Sequence, residues 1–335
     1  MTASKTPQGI LVPARFPATA IDAIYTQAEN AGVDVECICL PDDPEARLSA
    51  ELLETITAAY FGQSTNLTHA RSFFSAVRKA PNIKWIHLFN AGVDHPVFSE
   101  LMAKGIRLTT STGTTAVPIA RTAIAGLLML SRNFLGWQDS QRRKRWEPMY
   151  GDAQPQDLDG QTLCILGLGT IGSELARLAL MLGMSVIGVR RSPQRGEDPV
   201  DEMHPPHVLA ELLPRCQWLA ITCPLTPETR GLVDKDKLLA LPKGAGLINV
   251  GRGEIIDEPA MIEVLRSGHL GGAYLDVFAK EPLPESSPLW DMPNVIISPH
   301  NSSMSRGNET RIFNLFLSNM DCWLRGQPMR NEVSR

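Results

Sequence analysis

A glycine-rich turn between an apolar strand and a helix constrains the fold more than any other feature of this sequence. Residues 163–166 are apolar, the next six follow a G-x-G-x-x-G pattern, and residues 174–179 have helical composition. Gly167 would permit the tight turn, Gly169 would let backbone approach a pyrophosphate, and Gly172 would let the helix pack closely on the sheet. The helix N-terminus would then face the phosphates. The pattern predicts a dinucleotide site, and its alternative is a glycine-rich turn without a ligand. The predicted contacts include Thr170 and Ile171.

The end of the following strand, residues 186–189, indicates which dinucleotide is bound. An NAD site usually has an acid about 20 residues after the glycines, where it bonds the ribose 2′-hydroxyl. Here Arg190, Arg191 and Ser192 follow the strand, and the first acids come only after a proline and a glycine. Two guanidiniums and a hydroxyl suit a 2′-phosphate. We therefore predict that NADP(H) is preferred. NAD(H) is the alternative if these arginines are only a solvated strand end.

Bulk composition limits the class of protein. The chain has 335 residues, 43% hydrophobic and 20% charged, with a net charge of −4, which suggests two domains and no nucleic-acid or membrane partner. No apolar stretch has the length of a membrane span, the N-terminus lacks a signal-peptide core, and the six cysteines form no C-x-x-C. A cytoplasmic protein with reduced thiols is expected. His204 and His207 lie in a Pro-rich loop without further ligands nearby, so no metal is predicted. The basic run at 142–145 is interpreted as a solvated helix face or a rim of the site.

The N-terminal third alternates strands and helices without a second glycine motif. After the strand predicted at 83–89 comes a short turn with Ala91, Gly92 and Val93, at the strand end where open α/β sheets bind ligands. Its amides could hold an anion, and a connection without a ligand is the alternative. Apolar patterning predicts the other strands at 10–12, 33–40 and 106–110, and helices at 18–30, 47–59 and 68–80.

Beyond the glycine motif, the same alternation predicts a doubly wound parallel sheet. Three of its strand ends carry polar residues that an apolar sheet does not need: Arg252, Asp276 with Glu281 just after it, and His300. An arginine, a carboxylate and a histidine at one sheet edge make an acid/base and anion-binding set. The predicted strands are 218–222, 246–250, 273–277 and 295–298, and the predicted helices are 115–130, 137–146, 207–213, 235–241 and 258–267.

Several motifs resemble those of the D-isomer-specific 2-hydroxyacid dehydrogenases. They are Asn249-Val250-Gly251-Arg252-Gly253, Leu275-Asp276-Val277-Phe278-Ala279-Lys280-Glu281-Pro282-Leu283, Ser298-Pro299-His300 and the loop 223–231. The resemblance, which covers nearly all of residues 84–325, implies an α/β fold with two doubly wound parallel-sheet domains. A Rossmann NAD(P)-binding domain (111–302) would be inserted into a flavodoxin-like substrate domain (1–110 and 303–335). A final helix over about 306–324 would pack on the N-terminal half. Closure of the two domains and a homodimer are further implications.

The resemblance also implies a reaction and the roles of residues. The reaction is hydride transfer between NADP(H) and C2 of a small 2-oxo or 2-hydroxy acid, with glyoxylate or hydroxypyruvate as the first expectation. Arg252 would bind the substrate carboxylate, His300 would donate the proton in reduction, and Glu281 would pair with His300 as a buried carboxylate. Gly92 and Val93, with Ala91 beside them, match the loop that holds the other side of the substrate. The loop 223–231 would line the cofactor, and the implied cofactor contacts are Cys223, Pro224, Thr229, Val250, Gly251, Arg252, Asp276 near the nicotinamide, and His300.

Two positions depart from the family pattern. Arg121 stands where a glutamate is common, and Asn301-Ser302-Ser303 follow His300 where many members have glycine or alanine. Two alternatives stay open. One is an NAD(H)-sensing binding protein of the co-repressor type, whose long C-terminal tail and NAD-type acid this chain lacks. The other is a phosphite-type dehydrogenase. Formate dehydrogenase-like relatives carry glutamine in place of Glu281.

Overall fold

The computed structural model describes residues 7–90, 92–93, 95–151, 154–193 and 196–333, which form two compact units. Unit 1 contains the residues up to Thr114 together with those from Arg306 onward, and unit 2 runs from Thr115 to Ser305. The change from one unit to the other lies a few residues after the predicted domain limits.

The strands and helices alternate along most of the chain. The strands are β1 (Gln8–Val12), β2 (Val35–Cys39), β3 (Ile56–Phe61), β4 (Trp85–Leu88), β5 (Arg107–Thr110), β6 (Thr162–Leu166), β7 (Ser185–Val189), β8 (Glu202–His204), β9 (Trp218–Ile221), β10 (Ala245–Asn249), β11 (Leu270–Leu275) and β12 (Val295–Ile297). The helices are α1 (Ala18–Ala31), α2 (Ala50–Thr55), α3 (Gln63–Thr68), α4 (Ala70–Lys79), α5 (Pro96–Ala103), α6 (Ala116–Ser131), α7 (Phe134–Arg142), α8 (Thr170–Met181), α9 (Leu209–Leu212), α10 (Lys235–Ala240), α11 (Glu258–Arg266) and α12 (Asn308–Leu324).

Unit 1 is built on a parallel sheet with the order β2-β1-β3-β4-β5, the flavodoxin-like arrangement. One face packs on α4 and α5, with Phe73 and Leu101 fully buried. The other face packs on α1 and α12, where Phe316 stacks on Trp85 with ring centroids 5.4 Å apart. The C-terminal helix therefore completes the core of the N-terminal unit.

Unit 2 is built on a longer parallel sheet with the order β12-β11-β10-β9-β6-β7-β8. From β6 outward this is the Rossmann arrangement, in which the chain winds first to one side of the glycine strand and then to the other. Apolar cores cover both faces, one against α6 and α8 and the other against α10 and α11. The predicted fold class, two doubly wound parallel sheets, is confirmed.

Two predictions of secondary structure were wrong. Residues 56–59 were assigned to a helix over 47–59, but they begin β3, which pairs with both β1 and β4. A strand buried on both faces is a continuous apolar run that periodicity does not distinguish from a buried helix. His204 was assigned to a loop, but it lies on the edge strand β8.

Two further findings on the described residues concern membrane-spanning helices and the cysteines. None of their helices is long and apolar enough to cross a membrane. The cysteines are free thiols, but Cys39 is exposed, so they are not all core residues as expected.

Candidate active site

The glycine turn lies between β6 and α8, at the carboxyl end of the unit 2 sheet. Gly167 has φ +105°, which favours glycine, and a Cβ there would lie 2.4 Å from the backbone nitrogen of Cys223. Gly169, immediately before α8, faces open space. A Cβ on Gly172 would lie 2.5 Å from the Gly167 carbonyl oxygen, so α8 packs tightly on the turn. The turn thus has the geometry that backbone recognition of a phosphate requires.

A cavity of about 530 Å³ opens beside this turn. The predicted cofactor residues that line it are Gly167, Gly169, Arg190, Arg191, Cys223, Pro224 and Thr229. Thr226 and Glu228 also line it, and both belong to the loop 223–231 that the resemblance places beside the cofactor. Sequence reasoning missed other lining residues, among them Leu166, Leu168, Pro206, His207, Thr222 and Leu232. His207 follows β8, so only recognition of that strand could have placed it beside β7. Thr170, Ile171, Gly172 and Ser192 do not line this cavity.

Arg190 does not present the uncommitted guanidinium that the sequence predicted. Its Nη1 and Nη2 donate to the two carboxylate oxygens of Asp198, at 2.8 and 2.6 Å, and its Nη2 and Nε donate to the carbonyls of Pro193 and Ser192. The Arg190 and Asp198 side chains are only 11% and 8% exposed. Asp198, eight residues after Arg190 in the sequence, therefore neutralises the charge of this arginine. Arg191 is exposed and makes no hydrogen bond or ion pair with the described residues.

Arg252 lies on a turn that follows β10. The Asn249 side chain braces this turn, because its Oδ1 accepts from the Gly251 amide and its Nδ2 donates to the Arg252 carbonyl, both at 3.0 Å. The Arg252 side chain is exposed, and its Nη1 donates to the Gly251 carbonyl at 2.7 Å. A Cβ on Gly253 would lie 1.9 Å from the Phe278 carbonyl carbon. Glycine therefore lets the Arg252 turn touch the segment that carries Glu281.

Glu281 and His300 are brought together as predicted. The imidazole Nδ1 lies 2.7 Å from Glu281 Oε2, and Glu281 Oε1 accepts from the Phe278 amide at 3.1 Å. Since a carboxylate only accepts, Nδ1 carries a proton, and Nε2 is the ring nitrogen that Glu281 does not contact. The Glu281 and His300 side chains are 36% and 48% exposed. The expectation of a buried carboxylate was therefore wrong.

Asp276 is 1% exposed, and its carboxylate is bound by the loop that carries His300. The predicted contact of Asp276 with the nicotinamide thus does not use a free carboxylate. Val250 is buried at the end of β10, before the Arg252 turn.

The predicted substrate turn belongs to unit 1. Gly92 and Val93 follow β4, where the Asn90 Nδ2 donates to the Gly92 carbonyl. Ala91 lies outside the described residues. The role of this turn in substrate binding remains a prediction.

The basic run at 142–145 and His204, which the sequence also singled out, contact nearby acidic residues. Arg143, in the basic run, pairs with Asp139 at 2.8 Å and Glu147 at 2.7 Å. His204 Nε2 lies 2.9 Å from Glu202. No group of His, Cys, Asp and Glu among the described residues could hold a metal ion.

Comparison with known proteins identifies the family. The family model for the D-isomer specific 2-hydroxyacid dehydrogenase, NAD binding domain, matches residues 124–302. The chain is 33% identical to a glyoxylate reductase of Aeropyrum pernix over 265 residues, covering 77% of this chain and 78% of the relative. It is 32% identical to glyoxylate/hydroxypyruvate reductase B of Pectobacterium atrosepticum over 261 residues, covering 77% and 81%.

Solved structures give the same result over nearly the whole chain. An NADPH-dependent glyoxylate/hydroxypyruvate reductase from Sinorhizobium meliloti, in complex with NADP and sulfate, has a TM-score of 0.72 at 28% identity and covers 98% of both chains. A D-isomer specific 2-hydroxyacid dehydrogenase from Xanthobacter autotrophicus, in complex with NADPH and MES, has a TM-score of 0.73 at 27% identity, also over 98% of both chains.

The chain belongs to the D-isomer-specific 2-hydroxyacid dehydrogenase family. It is an NAD(P)-dependent oxidoreductase of that family, and the match to the family's NAD-binding domain, residues 124–302, lies within unit 2.

Proposed function

We propose that the protein is an NADP(H)-preferring reductase of a small 2-oxo acid, with glyoxylate and hydroxypyruvate as the first substrates. The observation that carries the cofactor preference is Arg191, which is exposed on the wall of the 530 Å³ cavity and has no hydrogen bond or ion pair with the residues that the structure describes. A 2′-phosphate distinguishes NADP from NAD, and an uncommitted guanidinium can bind it through two hydrogen bonds.

The neighbouring acid does not oppose this preference. Asp198 is the acid that contacts the first arginine after β7, but both of its oxygens accept from Arg190 and its side chain is 8% exposed. It is therefore not presented to a ribose 2′-hydroxyl. Glu228 lines the same cavity and acts against the preference, because its carboxylate attracts Arg191.

The relatives support the substrate and cofactor together. The Sinorhizobium meliloti protein is described as NADPH-dependent and as a glyoxylate/hydroxypyruvate reductase, and the Xanthobacter autotrophicus structure contains NADPH. The relatives from Aeropyrum pernix and Pectobacterium atrosepticum are named for the same acids.

The chemistry follows from the exposed polar groups of unit 2. The nicotinamide, when bound, supplies the hydride for C2. Arg252 binds the substrate carboxylate with the part of its guanidinium that does not donate to Gly251. His300 Nε2 donates the proton to the keto oxygen, while Nδ1–H remains bonded to Glu281. Gly92 and Val93 are proposed as additional contacts to the substrate carboxylate.

The test is a substrate and cofactor panel on the purified full chain. Glyoxylate, hydroxypyruvate, pyruvate, phenylpyruvate and phosphite are each assayed with both cofactors, NADPH and NADH for the oxo acids and NADP⁺ and NAD⁺ for phosphite. The highest kcat/KM is expected for glyoxylate or hydroxypyruvate with NADPH. Oxidation of phosphite without reduction of any 2-oxo acid would reject the reaction, and higher efficiency with NADH would reject the cofactor preference. We also propose a homodimer, which light scattering on the same sample tests.

A further inference from the structure

His300 adopts a backbone conformation that is unusual for its residue type. Its φ is +55°, in the left-handed region that favours glycine. A non-glycine residue stays there only when its surroundings determine the conformation. The His300 amide donates to the Asp276 carbonyl at 2.9 Å, and the other constraints come from the Asp276 side chain.

The Asp276 carboxylate binds the chain on both sides of His300. Before it, Ser298 Oγ donates to Oδ1 at 2.5 Å. After it, the amides of Asn301 and Ser302 donate to Oδ1 at 2.8 and 3.0 Å, and the Ser302 hydroxyl donates to Oδ2. Asp276 thus holds the residues at positions −2, +1 and +2 relative to the histidine.

A further hydroxyl extends this network into the sheet. Ser298 Oγ lies 2.7 Å from the phenol oxygen of Tyr274, and because Ser298 donates to Asp276, the Tyr274 hydroxyl donates to Ser298. Tyr274 is the penultimate residue of β11, and Asp276 directly follows that strand. Ser298 directly follows β12, the parallel neighbour of β11. Two paired strands therefore anchor the His300 loop.

The burial of the Asp276 carboxylate makes the loss of any of these hydrogen bonds costly. A carboxylate that is 1% exposed is costly unless hydrogen bonds satisfy its oxygens. Here the donors come from the His300 loop, so a change in that loop would leave a buried anion with missing partners. The Ser302 hydroxyl, which is itself buried, is one of these donors.

We propose that Asp276, acting with Ser302, is a positioning residue for His300. The buried carboxylate fixes the left-handed backbone of the histidine, so that Nδ1 meets Glu281 and Nε2 faces the substrate. This inference rests on the proposed function for its catalytic consequence, while the fixed orientation of the imidazole belongs to the protein itself.

The test compares Ser302→Ala with Ser302→Thr, which keeps the hydroxyl, and with Ser185→Ala, a control at the exposed start of β7. Loss of one hydrogen bond to a buried anion should lower kcat about ten-fold in Ser302→Ala. KM for NADPH should stay within about two-fold, Ser302→Thr should recover most of the rate, and Ser185→Ala should match wild type. A folded Ser302→Ala protein with wild-type kcat would overturn the proposal.

A second measurement does not depend on turnover. In ¹⁵N-labelled protein, the His300 ring signals are identified by their loss in His300→Gln and are then recorded for Ser302→Ala and Asp276→Asn. A fixed imidazole predicts sharp signals with Nδ1 protonated in wild type and broadened or shifted signals in both variants. Identical His300 spectra in all three proteins would reject the positioning role. If wild type reduces no 2-oxo acid, the proposed function fails, and this measurement still decides whether Asp276 orients His300.

Discussion

Arg190 and Asp198 form a nearly buried ion pair in which Nη1 donates to Oδ1 at 2.8 Å and Nη2 donates to Oδ2 at 2.6 Å. Arg191, the adjacent residue, lies on the cavity wall. Two consecutive arginines that look equivalent in the sequence therefore have different surroundings: Arg190 is paired with Asp198, and Arg191 lies on the cavity wall.

The first prediction separates the two arginines. Arg191→Ala should lower kcat/KM for NADPH by about one to two decades and leave NADH nearly unchanged, because a charged hydrogen bond contributes about 1.5–3 kcal/mol and 1.4 kcal/mol is one decade. The advantage of NADPH should also shrink as salt rises. Steady-state kinetics with both cofactors at low and high salt provide the measurement.

Arg190→Ala is the matched comparison. It should reduce efficiency with both cofactors alike and destabilise unit 2 by about 3–5 kcal/mol, since it leaves a buried carboxylate without its main partner. If Arg190→Ala, and not Arg191→Ala, selectively removed NADPH activity, the roles assigned to the two arginines would be reversed.

The second prediction concerns Glu228, which lines the same cavity as Arg191. A hydrogen bond from Thr226 lowers the pKa of Glu228, with a smaller contribution from Arg191. The carboxylate is therefore ionised at neutral pH and repels a 2′-phosphate. Glu228→Gln should raise the NADPH/NADH ratio of kcat/KM several-fold, mainly by lowering KM for NADPH. An unchanged ratio would show that Glu228 does not sense the phosphate.

The third prediction concerns the proton donor and the substrate anchor. His300→Gln should lower kcat about 10²- to 10⁴-fold, the usual contribution of a general acid, with NADPH binding retained. Arg252→Lys should be severe as well, because an ammonium cannot reproduce the fork of a guanidinium. Cofactor fluorescence titration separates binding from turnover. Near wild-type kcat in His300→Gln would remove this residue from the reaction.

The strand ends show how far sequence alone could lead. Arg252, Glu281 and His300 were predicted because each follows a strand of one parallel sheet, and parallel strands deliver their carboxyl ends to the same edge. The pairing of Glu281 with His300 came from the family resemblance, and the structure provides its 2.7 Å contact.

The failures have a common physical cause. The state of Arg190 depends on a loop that returns Asp198 to it, and no local pattern encodes that return. The cavity position of His207 depends on β8, an edge strand of three residues, too short for a recognisable alternation. Strand β3 is buried on both faces and therefore lacks the alternation that would have separated it from α2.

The fourth prediction tests the C-terminal helix. Phe316 on α12 is fully buried and contacts Trp85 and Tyr60 at centroid distances of 5.4 and 4.8 Å. Phe316→Ala should destabilise unit 1 by about 3–5 kcal/mol, the usual cost of removing a buried ring. Limited proteolysis should then cleave unit 1 first and leave unit 2 protected. Met181→Ala, at an exposed site on α8, is the control with little expected effect. Equal protection of unit 1 in both variants would contradict the packing of α12.

The last prediction is a pH dependence of stability from His87, a fully buried residue on β4. Ser111 Oγ donates to the Leu88 carbonyl at 2.8 Å, so it accepts from His87 Nε2 at 3.1 Å. Nδ1 then accepts from Thr109 Oγ1 at 2.8 Å.

These hydrogen bonds fit one neutral tautomer of His87, and burial lowers its pKa from 6.5 to about 3. Between pH 6.5 and 3 the unfolded chain therefore binds a proton at His87 that the folded chain does not bind. Stability is fully present above pH 6.5 and falls by about 1.4 kcal/mol per pH unit as the pH drops from 6.5 toward 3. Urea unfolding of unit 1 between pH 7.5 and 4.5 should show this slope, and the one-proton contribution of about 1.4 kcal/mol per pH unit should be absent in His87→Gln. A ring signal of His87 that titrates near pH 6.5 in the folded protein would contradict the prediction even if His87→Gln does not fold.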